Sequence, residues 1–304
     1  MDPRDYPSRY LHISGAFALG GTFTHVAPGV DVQIPTVAPV HLPMAGGISE
    51  VKVKKVSLDC RKVKFGPIDR KLLSTLKKKE LFSIGSAYTC CKSEPEIPGQ
   101  PFRNNCVSEM SSLRLGDKVF LKHSLLNMQS SHDPAKSRFP QITFGATEIK
   151  GLKLGKSELK ITLDLDTFNR YPTLEELETA FKNDPKLRAR LTPRFLVDPA
   201  TGGFYRNPAG YVVGSIVEKV EGLPSGATYN GYTITWPPFG NLILGEMVIT
   251  PYMRRISLIR FTYSNGSGGS GCSGSPPRQD RHCLARWASE RSRSACPCST
   301  RCRC

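Results

Sequence analysis

The sequence predicts a β-rich α+β protein: sandwich-like antiparallel sheets, two or three short inserted helices and a disordered C-terminal tail. Three observations carry this expectation. Short β-prone runs with period-two alternation recur along most of the chain, helical periodicity is confined to brief stretches, and strands and helices do not alternate regularly enough for a parallel nucleotide-binding sheet. No repeat of fixed period is visible, which argues against propellers and solenoids.

Residues 1–50 are dense in Pro, Gly and His and poor in charge. The β-prone pieces Tyr10-Leu-His-Ile and Gly21-Thr-Phe-Thr-His-Val stand between breakers, so this part reads as an extended segment packing on the body. Residues 51–264 read as one β-rich body, with a division near 125–140 as the alternative. Val51, Val53, Val56 and Leu58, then Val63 and Phe65, alternate imperfectly with lysines and arginines, which predicts two strands with a basic outer face. Asp69 then caps a helix in which Leu72, Leu73, Leu76 and Leu81 fall near helical spacing. A loop is expected from about Cys91 to Arg114, followed by a strand from Lys118 to Leu121.

Leu159, Ile161, Leu163 and Leu165 alternate without a break against Lys160, Thr162, Asp164 and Asp166, the pattern of a half-buried strand. Thr173-Leu-Glu-Glu has the form of a capping box ahead of the apolar stripe Leu174, Leu177 and Phe181. Asp184-Pro185 starts a further short helix. From Phe195 to Tyr263 the chain reads as β again. Tyr211-Val-Val-Gly-Ser-Ile-Val is a strand, Asn230-Gly231 suits both left-handed positions of a type I′ hairpin turn, and two strands follow at 242–249 and 256–263.

The 304 residues hold 42 Lys and Arg against 26 Asp and Glu, a net charge of +16. Residues 265–304 separate from the rest as a Gly/Ser linker and an Arg/Cys-rich tail. From Gly266 onward there are 7 Arg, no Lys, and 6 of the 10 Cys, with no Val, Ile or Phe, so little apolar surface offsets the entropy of ordering. A shifted reading frame explains such a composition. The alternative is a zinc or disulfide cluster of Cys296, Cys298, Cys302 and Cys304, whose spacings are tighter than those of zinc knuckles. Met1-Asp-Pro-Arg-Asp-Tyr-Pro does not open a secretory signal, and no run approaches eighteen consecutive apolar residues. The expectation is a soluble cytoplasmic protein without a membrane span, with Cys60, Cys90, Cys91 and Cys106 as buried thiols.

The composition excludes collagen-like and coiled-coil chains. The residues also lack a Gly-x-Ser-x-Gly elbow, a His-Glu-x-x-His helix and a phosphate loop, so catalysis is not expected and no cofactor is implied. The favoured reading is a non-catalytic structural or binding protein acting through its surface. Lys52 to Lys79 holds eleven Lys or Arg against Asp59 and Asp69, a field that attracts nucleic acid or an acidic protein. The candidate residues for such a polyanion are Lys52, Lys54, Lys55, Arg61, Lys62, Lys64, Lys77, Lys78 and Lys79. Against this stands a lysine coat that merely prevents edge pairing. Asp164 and Asp166, roughly 7 Å apart on one strand face, are the candidate metal ligands of a hydrolase or transferase, with Glu175 or Glu176 as third carboxylate. A solvated strand face is the plainer explanation. His123, His132 and Asp133 offer a general base with an orienting carboxylate.

Overall fold

Strands that bury every second residue need a second apolar face to cover them, and here two antiparallel sheets cover each other. The computed structural model describes residues 14–27, 30–43, 46–59, 80–94, 100–133, 135–263 and 268–275. In chain order these form β1 (Gly15–Ala27), β2 (Val30–Val37), β3 (Val40–His41), β4 (Ile48–Asp59), β5 (Glu80–Ser93), β6 (Phe102–Leu115), β7 (Val119–His132), β8 (Gln141–Phe144), β9 (Glu148–Leu154) and β10 (Ser157–Leu163). Helices α1 (Leu165–Arg170), α2 (Leu174–Asn183) and α3 (Pro185–Leu191) follow. The chain then returns to strands: β11 (Val212–Ser215), β12 (Val217–Glu221), β13 (Thr228–Tyr229), β14 (Thr233–Trp236), β15 (Gly240–Thr250), β16 (Met253–Tyr263) and β17 (Gly268–Ser275).

One sheet runs β13-β14-β15-β16-β17-β1-β2, with β11 beside β15 and β3 beside β1; the other runs β12-β10-β9-β7-β6-β5-β4, with β8 beside β7. The predicted sandwich with short helices is the observed architecture. Small side chains bond across the layer between the sheets. Ser108 Oγ donates to Phe17 O at 2.9 Å, Thr89 Oγ1 donates to Ala38 O at 2.6 Å, and Ser14 Oγ lies 2.9 Å from Cys106 Sγ. Away from this layer, Phe144, Phe168, Phe195, Phe204 and Phe181 stack in series and seat the helices. The capping box is present as read: Thr173 Oγ1 accepts from the Glu176 amide and the Glu176 carboxylate from the Thr173 amide.

Several expectations need correction. The stretch read as a loop from Cys91 to Arg114 contains the end of β5 and all but one residue of β6. Its Ser, Asn and Cys residues resemble loop composition, yet Asn104, Cys106 and Ser108 alternate inward and are buried, in step with Met110. The Gly/Ser run read as linker supplies β17, which pairs with β16 and β1. Glycine is needed there because a Cβ on Gly269 would lie 2.6 Å from Gly20 O. The strand expected to continue through Asp166 ends at Leu163, because Asp164 caps α1. In the hairpin of β13 and β14 only Gly231 is left-handed, and the Asn230 side chain accepts from the amides of Tyr232 and Thr233 instead. Leu81, expected at the end of the helix after Asp69, stands instead in β5, while the rest of that helix, Cys60 and the tail from Pro276 lie outside the described residues. Among the described residues no helix is long and apolar enough to cross a membrane.

The thiols test the placement of β17. Cys272 is fully enclosed, burial pushes its thiol up to about 12, and it contacts Ser124 Oγ at 2.8 Å. Cys91 and Cys106 face each other with 2.8 Å between sulfurs; the contact with Cys106, then burial, push the Cys91 thiol upward. Iodoacetamide at about pH 8 is therefore expected to modify the half-buried Cys90 well before these three. Peptide mapping that found Cys272 alkylated in the native protein would remove β17 from the sheet.

Candidate functional site

Five neighbouring strands of the eight-stranded sheet break their alternation at the same level. Successive residues of an extended strand point to opposite faces, and a residue that leaves the extended conformation turns two neighbours to the same side; the strands break together, so the pairing register does not shift. In β4 the inward set Val51, Val53 resumes at Val56, Leu58, leaving both Lys54 and Lys55 outside. In β5 the break falls at Gly85 and Ser86, between Ile84 and Ala87. In β6 it falls at Ser111 and Ser112, in β7 at Lys122 and His123, and in β9 at Lys150 and Gly151.

The register shows that these breaks are aligned. Lys54 pairs with Ser86, Ser86 with Ser111, Ser111 with His123 and His123 with Lys150. The result is a crease crossing the outer face. Lys55 and Ser112 hold φ of 46° and 56°, and Gly151 holds 61°. For a side-chain-bearing residue this conformation costs about 1–2 kcal/mol. Gly85 is required by close approach, since a Cβ there would lie 3.0 Å from Ser112 Cβ.

The floor of the crease is small: Gly85, Ser86, Ser111 and Ser112. Lys54 and Lys55 stand at one end, and Lys122, His123 and Lys150 at the other. Three inter-strand spacings separate β4 from β7, about 14 Å. Lys54, Lys55 and Lys122 are exposed and have no ion pair among the described residues. His123 lies between two carboxylates, with Nε2 3.1 Å from Glu109 Oε1 and Nδ1 3.1 Å from Glu148 Oε1. Lys150 Nζ lies 2.6 Å from Glu148 Oε2. The Lys150 contact, against the opposing effect of burial and with help from His123, holds the Glu148 carboxyl below the usual range. Glu109 thus meets His123, and Glu148 meets both His123 and Lys150, leaving the three lysines to face solvent.

Of the residues read as polyanion-binding, Lys52, Lys54 and Lys55 stand on β4 facing outward. Arg61, Lys62, Lys64, Lys77, Lys78 and Lys79 lie outside the described residues. The structure adds Lys122 and Lys150, which are far from these in sequence. Their signal was the paired outward residues within otherwise alternating runs, already visible as the imperfect pattern around Lys54-Lys55.

Asp164 and Asp166 do not share a face. Asp164 is buried, with Oδ2 2.6 Å from Arg194 Nη2 and Oδ1 accepting the Thr167 amide at 3.4 Å, whereas Asp166 is exposed in the first turn of α1. No group of three or more His, Cys, Asp or Glu is placed to hold a metal ion among the described residues. His123, His132 and Asp133 are not brought together as a base with its carboxylate: His132 Nε2 meets Ser137 O at 3.1 Å, and Asp133 pairs with Lys136.

Residues 10–197 match a family described as a domain of unknown function, DUF8256. The matched span contains all five strands of the crease. No curated protein and no solved structure matches the chain.

Proposed function

The chain belongs to the DUF8256 family, and we propose that it acts by binding, with the crease of the eight-stranded sheet as a site for a linear polyanion such as the phosphate backbone of a nucleic acid. The observation that carries this reading is the aligned set of breaks in alternation. A lysine in the left-handed region at Lys55 opposes backbone preference, and the same break turns Lys54 and Lys55 outward together. The breaks re-aim side chains, and here they gather cations from β4, β7 and β9 around a floor too small to obstruct a chain lying across it. A lysine coat that only blocks edge pairing needs cations on β4, but not on the interior strands β7 and β9.

Fluorescence anisotropy with single-stranded RNA and with heparin, titrated at about 50 mM salt and upward, tests the reading. Binding is expected to weaken steeply with salt. For RNA, the combined Lys54→Gln, Lys55→Gly and Lys122→Gln variant should reduce the log–log slope by about 2, since each lost phosphate contact removes about 0.7. No binding by the parent, or an unchanged slope in the variant, would end the proposal. Lys55→Gly alone separates binding from stability. Relief of the positive φ, less the entropy of a strand glycine, is expected to gain up to about 1 kcal/mol while binding falls. Thermal denaturation beside the same anisotropy series reads both.

A further inference from the structure

Helices α1 and α3 meet around a cavity of about 270 Å³ lined chiefly by Thr167, Arg170, Tyr171, Asp184, Lys186 and Arg190. It lies apart from the five creased strands and gathers three cations from two short helices. Arg190 is anchored: its guanidinium donates to Thr167 Oγ1 and lies 3.7 Å from Asp164 and 3.9 Å from Glu218. Arg170 and Lys186 are exposed and have no ion pair among the described residues.

Helix stability does not account for Lys186. It is the second residue of α3, a helix with no acidic residue in its first turn, and a cation there opposes the positive end of the helix. Arg170 and Arg190, like Lys182 and Arg188, sit in last turns, where cations are favoured, so Lys186 is the exception among the three. Asp184 is the carboxylate of the cavity, and its Oδ1 accepts the amides of Lys186 and Leu187 at 2.8 and 3.1 Å. Its charge is therefore turned toward its own helix, leaving Arg170 and Lys186 at the opening beside the anchored Arg190.

The geometry points to a binding site for a small phosphate monoester, its terminal oxygens met by Arg170, Lys186 and Arg190 and its bridging side near the Tyr171 ring. Guanidinium forks suit phosphate oxygens, and the volume falls below the usual range of drug-sized pockets, about 300–1,000 Å³, which limits the ligand to a phosphate with few further atoms. This ligand class differs from the long polyanion of the crease, and neither site depends on the other.

The test is calorimetric titration of the full chain with inorganic phosphate and with glycerol 1-phosphate, in parent, Arg170→Gln, Lys186→Gln and the control Lys182→Gln. Arg170 and Lys186 are exposed, so their loss should leave the fold intact, which circular dichroism checks. Saturable binding by the parent is expected, weakened about tenfold by each cavity variant and unchanged in Lys182→Gln. Glycerol 1-phosphate should bind at least as tightly as inorganic phosphate. A parent that binds neither probe up to about 10 mM overturns the inference, as does equal affinity in all four proteins. Heparin supplies a further arm: saturating the crease should leave the phosphate isotherm unchanged, and competition between them would move the phosphate contact to the crease.

Discussion

Asp164→Asn is expected to destabilise the fold by about 3–5 kcal/mol, the usual consequence of leaving one charge of a buried pair uncompensated. Asp164 and Arg194 are 6% and 2% exposed, so water cannot replace the lost partner. Arg194 Nη2 reaches Asp164 Oδ2 at 2.6 Å, its Nε donates to Arg190 O at 3.2 Å, and its Nη1 has no hydrogen-bond partner among the described residues. An asparagine can still cap α1 through its one side-chain oxygen, but its amide nitrogen then stands where Oδ2 accepted from Arg194. What it removes is the charge and that bond, so any loss measures the ion pair and not the cap. Urea denaturation reads the effect, and a loss under about 1 kcal/mol would mean that Arg194 is solvated in solution. Asp164→Asn with Arg194→Met should recover part of it, because no charge is then left buried.

The same pair fixes a pH dependence. Burial pushes the Asp164 carboxyl upward, but the bonds from the Arg194 and Thr167 side chains, with the charges of Arg194 and Arg190, outweigh it and hold the carboxyl below its ordinary value. A carboxyl depressed on folding contributes stability that is present above its unfolded pKa and is lost as pH falls through the folded one. The parent should therefore lose this contribution on acidification below the ordinary carboxylate range. Asp164→Asn should lack that component, and the gap between the two proteins should narrow toward low pH.

The sequence signals that carried through were those whose cause is local. The capping box at Thr173, the Asp184-Pro185 helix start and the hairpin at Gly231 each depend on a few adjacent residues, and each is present. Signals that depend on the opposite sheet were misread. β17 has almost no side chains, so its reason for being a strand lies in the close approach of β1 and β16. Asn104, Cys106 and Ser108 carry the composition of a loop, yet they are buried, with Ser108 bonded to Phe17 O of the opposite sheet. Asp164 follows an unbroken alternation, yet the buried Arg194, thirty positions away, draws it off the strand. The crease was half legible. Lys54-Lys55 break the alternation of β4, but only the pairing register shows that Lys122-His123 and Lys150-Gly151 break at the same level.

Arg254→Met should be as damaging as the loss of Asp164, for a different reason. Arg254 on β16 is 1% exposed and donates to three main-chain oxygens: Nη1 to Ile142 O at 2.8 Å and Phe168 O at 3.2 Å, and Nη2 to Tyr171 O at 2.7 Å. One guanidinium thus ties together β8, α1 and the residue that ends α1. Burial lowers its pKa to about 10, and the charge of Glu176 acts in the opposite direction. Methionine follows the path of the aliphatic stem, so the lost packing is small and the main loss is of donors. Carbonyls left buried without a partner cost about 1–3 kcal/mol each, and partial relaxation brings the expected total to about 3–5 kcal/mol. Arg254→Lys should fall between, because an ammonium at the end of a flexible stem lacks the planar fork that reaches all three oxygens. Hydrogen exchange separates this loss from a uniform weakening. Amides of α1 and β8 should exchange faster in Arg254→Met while those of β5 and β6 keep their protection, since Arg254 bonds to neither strand. Because Tyr171 and Arg170 are held at the end of α1, the same variant should also lose phosphate binding at the cavity between α1 and α3. Equal acceleration everywhere, or unfolding free energy within about 1 kcal/mol of the parent, would show that the three carbonyls find other donors when Arg254 is gone.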